Sequence, residues 1–126
     1  MQQMELDEFV KNINAIEPQL YRQHEKQVLS LHQTAFTNAS RCFEGRYDEK
    51  TDTINRCVYD RQGVVKNFHA ELTRKVRDSK IHFEQCRADC AGGTELDCLK
   101  TCADTYEKEL SQAYTDTLSQ FNPQIQ

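Results

Sequence analysis

Tryptophan is absent from this chain, and proline and glycine are rare, at two and four in 126 residues. That scarcity excludes a collagen-like or low-complexity chain and argues against a turn-dense all-β domain. No strand-like alternation of useful length appears. No run approaches the roughly 18 apolar residues that a membrane span needs, so no transmembrane segment is expected. Apolar residues make up 37% of the chain and charged residues 29%. Such a balance suits long exposed helices with one apolar stripe each, rather than a thick globular core. The net charge of −4 argues against nucleic acid as the main partner. A basic run, Arg74, Lys75, Arg77 and Lys80, is interrupted by Glu71 and Asp78 and reads as a solvated helix face. There is no Gly-rich phosphate loop, no nucleophile–His–acid set and no pair of catalytic carboxylates. No enzyme activity and no cofactor is therefore expected. His24, His32, His69 and His82 are not in metal-ligand spacing and read as structural.

What the chain has is a patterned set of six cysteines. Cys86 and Cys90 form one C-x-x-x-C doublet, and Cys98 and Cys102 form another. Residues four apart share one face of a helix, so each doublet puts two thiols on one stripe. Gly92 and Gly93 lie between them. If they reverse the chain, Cys90 falls opposite Cys98 and Cys86 opposite Cys102. Both pairs have the same sum of residue numbers, as a fixed antiparallel register requires. Cys42 and Cys57 repeat the design around a polar segment from Glu44 to Lys50. An outer rung in that register would fall at Asn38 and Arg61, and neither is cysteine. Of the connectivities open to six cysteines, register selects Cys42–Cys57, Cys86–Cys102 and Cys90–Cys98.

Other uses of these thiols fit less well. Four of them could hold zinc, but tetrahedral zinc sites use tighter C-x-x-C spacing. Catalytic disulfides favour C-x-x-C at a helix N-terminus. Cys86 and Cys90 fall at a helix C-terminus, where the dipole opposes a thiolate.

Periodicity predicts three helices in a single domain over 1–126. The first runs from about residue 5 to 42, with Leu6, Phe9, Val10, Ile13, Ile16, Leu20, Val28, Leu31, Ala35 and Phe36 on its stripe and His24 interrupting it. Pro18 predicts a kink or break. The second runs from about 53 to 91, with a near-heptad stripe through Val65, Phe68, Leu72, Val76 and Phe83. Asp48, Thr51 and Asp52 are its capping candidates, and Gly63 is its weak point. The third runs from about 95 to 121, with Thr94 as N-cap, Asp97 at the capping-box position and Asn122-Pro123 as the stop. The fold class is all-α: an elongated three-helix bundle of two disulfide-stapled hairpins sharing a long central helix.

Stable disulfides need an oxidising compartment. The acidic N-terminus, Met1 to Glu8, reads as neither a secretory signal nor a transit peptide. The mitochondrial intermembrane space resolves this tension, because small proteins there are trapped by oxidation of their cysteine doublets. The import oxidase of that compartment would be a transient partner, with Phe83, three residues before Cys86, either docking in its cleft or lying in the core.

The chain resembles the family with sequence similarity 136 proteins. The resemblance rests on Arg41-Cys42, Arg56-Cys57, the Cys86/Cys90 doublet and the segment from Leu96 to Cys102, and covers about residues 5 to 115. That family carries two pairs of C-x-x-x-C doublets separated by a long helix. Asn38 and Arg61 stand where it would place two further cysteines, and the loop over 91–97 is shorter. The resemblance implies a helical protein of the intermembrane space without a cleaved presequence. The expected role is a non-catalytic accessory subunit or assembly factor of an inner-membrane complex. The alternative is a carrier of hydrophobic precursors similar to the small Tim chaperones, which share twin C-x-x-x-C hairpins. Val10, Leu29 and Tyr114, outside the heptad stripes, are expected to be exposed and could serve either role.

Overall fold

The computed structural model describes residues 2–45, 50–90, 92 and 95–125, with side chains for all of these except 2 and 122–125. Three α-helices follow in order: α1 over Gln2–Ser40, α2 over Thr51–Ala88 and α3 over Leu96–Ile125. A short 3-10 turn, Arg41–Phe43, extends α1. No strand occurs among the described residues. The result is the expected all-α bundle of stapled hairpins. At 1.5 Å per residue, the 38 residues of the shared helix α2 span about 57 Å. No helix among the described residues is long and apolar enough to cross a membrane.

The helix ends differ from expectation in instructive ways. Pro18 does not break α1, which runs through it as one helix of 39 residues. Pro18 and Asn14, the residue whose carbonyl loses its donor, are both exposed, so water replaces the missing bond. Helix α2 starts at Thr51, which places Thr51 and Asp52 inside its first turn rather than at its cap. Lys50 holds the N-cap position without a side-chain bond, and the Asp52 carboxylate sits where the helix dipole favours it. Asp48, Thr94 and Gly93 lie outside the described residues.

At α3 the cap is Glu95. Its carboxylate accepts the Asp97 N–H at 3.1 Å and the Cys98 N–H at 2.6 Å, which satisfies two of the free donors of the first turn. Helix α3 then continues past Asn122-Pro123 to Ile125. Helix α2 ends at Ala88, three residues early. The Asp89 N–H reaches back to the carbonyls of Gln85 and Cys86, and Gly92 turns the chain at φ +74°. An L side chain there would be strained.

Helix α2 packs most extensively on α3, and α1 lies against both. Phe83 stands between Phe9 and Tyr106, with ring centroids 6.5 and 5.2 Å away. Leu20, Val28, Leu31, Leu72, Val76, Leu110 and Leu118 continue the core, and Phe68 meets Phe121 edge-on at its far end. Beyond Phe68 the burial thins. Between Thr51 and Asn67 no residue of α2 is fully buried, although α1 buries Leu31, Ala35 and Ala39 and the turn after it buries Cys42.

Val10, placed on the stripe of α1 by periodicity, is 42% exposed, and two further assignments are corrected. Phe36 is 68% exposed, because its neighbour Ala35 takes the inward position. Tyr114 is 4% exposed, not a surface residue. It stacks on His24 of α1 at 5.0 Å and 15°. Helix α3 faces two neighbours at once, so it buries a wider stripe than a heptad seam does. Thr117, which the periodicity missed, belongs to the same face: it is fully buried, donates to the Ala113 carbonyl and accepts from Lys75 of α2 at 3.1 Å.

Gly63 lies within α2 with nothing within 4 Å of the point where a Cβ would stand. Gly63→Ala is expected to raise stability by about 0.5–1 kcal/mol. The check is a higher urea midpoint at unchanged slope; a lower midpoint would refute an unobstructed site.

Candidate functional site

Three disulfides organise the chain. Cys86–Cys102 and Cys90–Cys98 join the end of α2 to the start of α3, with Cα–Cα distances of 5.8 and 5.6 Å. Cys42–Cys57 joins the turn after α1 to the first part of α2 at 5.9 Å. All three distances suit disulfides. The two C-terminal bonds stack closely: the Sγ atoms of Cys90 and Cys102 are 3.7 Å apart, and both residues are buried. The sulfurs of Cys90, Cys98 and Cys102 all lie within 4.8 Å of one another. Bonded as they are, they present no thiolate to a metal or an electrophile.

The place of the missing rung is filled by a different interaction. Arg61 Nη1 donates to the Asn38 carbonyl at 3.0 Å, one turn outside Cys42 and Cys57. The Arg61 side chain thus bridges the two helices of the first hairpin at the positions that carry no cysteine. The guanidinium also sits in the last turn of α1, where a cation is favoured by the helix dipole.

Two surfaces stand out. The first is apolar. Leu29 and Phe36, seven residues apart, are 56% and 68% exposed on α1, and Phe43 follows in the turn at 54%. Tyr59, 69% exposed, lies on α2 of the same hairpin. Four large exposed apolar groups thus lie on this hairpin, which makes its surface a candidate for contact. The second is a groove of about 670 Å³ between α1 and α3. Phe9, Ile13, Ile16, Leu96 and Ala103 give it an apolar lining, and Glu5, Glu8, Asp104 and Glu107 outnumber Lys100 among its charged residues.

Several other charged residues form ties along or between helices. In the basic run, Arg74 pairs with Glu71 and Asp78 along α2, and Lys80 reaches Glu17 of α1 at 2.9 Å. Phe83 is 6% exposed, so the folded chain keeps it in the core rather than presenting it to an oxidase. Burial, and secondarily Glu17, raises the Tyr106 and Tyr114 hydroxyls above the ordinary tyrosine value.

The histidines divide. His24 Nδ1 contacts the Leu20 carbonyl at 2.9 Å, and His82 approaches Glu109 at 3.4 Å. His32 and His69 come together: their Nε2 atoms are 2.8 Å apart. Burial, and then the His32 imidazole, hold His69 below the ordinary histidine value. These two residues are 37 positions apart, so no local spacing could reveal the pair. Only the α1–α2 register brings them together.

No family model, curated protein or solved structure matches the chain. The resemblance noted above therefore rests on its cysteine pattern.

Proposed function

We propose that this chain is a non-catalytic accessory subunit or assembly factor of a mitochondrial inner-membrane complex, acting from the intermembrane space. The observation that carries the reading is the exposure of four large apolar side chains on the first hairpin, Leu29, Phe36, Phe43 and Tyr59. Helix α2 has no fully buried residue over 51–67, so this arm carries apolar surface that a partner helix would cover. The compartment rests on the cysteine pattern and its resemblance. Affinity purification under mild detergent should recover the chain with one inner-membrane complex at fixed stoichiometry, and Phe36→Ser with Phe43→Ser should abolish that recovery. Wild-type chain recovered only as a monomer would overturn the reading.

The α1–α3 groove supports a second reading, a carrier of hydrophobic precursors. Self-association into a ring, with no stoichiometric complex, would favour it.

Either role requires retention by oxidation. Replacing Cys86 and Cys90 by Ser is expected to prevent accumulation in mitochondria, as measured by fractionation and immunoblotting. Normal accumulation of that variant would exclude the route.

A further inference from the structure

We propose that His32 and His69 form a two-imidazole site for a divalent transition-metal ion of the zinc type, clamping α1 to α2. The two Nε2 atoms are 2.8 Å apart, with ring centroids at 5.0 Å and planes at 65°. Two nitrogens each about 2.1 Å from one ion, at tetrahedral or octahedral angles, are separated by roughly 3.0–3.4 Å. Inserting an ion therefore asks the rings to part by a few tenths of an ångström and to swing until both lone pairs converge on it.

Both histidines are exposed, so an ion and the waters completing its shell can reach them. Their backbones are nonetheless held. Each follows directly on a core residue, Leu31 at 1% exposure and Phe68 at 0%. The Cys42–Cys57 disulfide ties the same two helical segments. Without an ion, two neutral imidazoles at this distance share one proton: one Nε2–H donates to the other's lone pair. With an ion, both rings take the Nδ1–H tautomer and both Nε2 lone pairs point to the metal. Imidazole selects borderline ions such as Zn²⁺, Ni²⁺ and Cu²⁺ over Mg²⁺ or Ca²⁺, which demand oxygen ligands. The cysteines do not compete, because all six are in disulfides.

The test is calorimetric titration of the oxidised full-length chain with Zn²⁺, using Mg²⁺ as the contrasting probe. One Zn²⁺ per chain and no Mg²⁺ binding are expected. His32→Gln and His69→Gln should each weaken Zn²⁺ binding at least tenfold, while His24→Gln and His82→Gln leave it unchanged. Zn²⁺ should also raise the melting temperature of the wild type, but not that of the double variant H32Q/H69Q. Equal melting temperatures in chelator would show that the variants fold. Wild-type chain that takes up no Zn²⁺, or a double variant that binds it equally well, would overturn the site.

Discussion

Replacing Cys86 and Cys102 together by serine is expected to destabilise the chain by about 2–5 kcal/mol. The bond between them spans 16 residues, and the chain-entropy account assigns about 3 kcal/mol to a loop of that size. It holds the end of α2 to α3 next to the Phe9–Phe83–Tyr106 layer, among the buried Cys90 and Leu99. Cys90–Cys98 spans only 8 residues inside that loop, so losing it alone should cost less. Denaturant midpoints of the paired serine variants would rank the bonds. A loss under about 1 kcal/mol for the outer pair would show that packing alone holds this end together. Alkylation of the untreated chain should find no free thiol, and reduction should expose six; free thiols before reduction would contradict the pairing.

The second large effect separates two phenylalanines. Phe68 is 0% exposed and touches Phe121 and His69. Phe68→Ala removes a ring from the layer where Phe121 of α3 meets α2, and is expected to cost about 3–5 kcal/mol. Phe36→Ala, on the open side of α1, should change stability by no more than about 0.5 kcal/mol. Its effect should instead be on partner recovery. Thermal and urea unfolding of the two variants side by side provide the check. If Phe36→Ala proved as damaging as Phe68→Ala, Phe36 would be part of the core and would be lost from the proposed partner surface.

These contrasts also mark what the amino-acid pattern reveals and where it stops. The helices were legible because their stripes recur at helical spacing, and the hairpins because their cysteines obey an antiparallel register. Phe36 was misplaced since Ala35 beside it is equally apolar to a periodicity reading; only packing decides which one turns inward. Tyr114 and Thr117 were missed because a heptad seam assumes one neighbour and α3 has two. Pro18 does not interrupt the helix, since the cost of the lost bond depends on whether water can reach Asn14. Glu95 was passed over as a cap because glutamate seldom serves there, yet its longer side chain reaches two backbone donors. The His32–His69 contact had no local signal at all.

The connectivity of the disulfides has one more consequence. Drawn as arcs over the chain, Cys42–Cys57 stands apart, and Cys90–Cys98 nests beneath Cys86–Cys102. No arc crosses another. The covalent framework is therefore nested and side by side, with no interleaved pairs. The bonds can form in any order and give the same product, and closing the inner arc brings the ends of the outer one nearer. A chain with this topology can be reduced, passed through a narrow opening as an extended strand, and reclosed from its tightest turn outward without untangling.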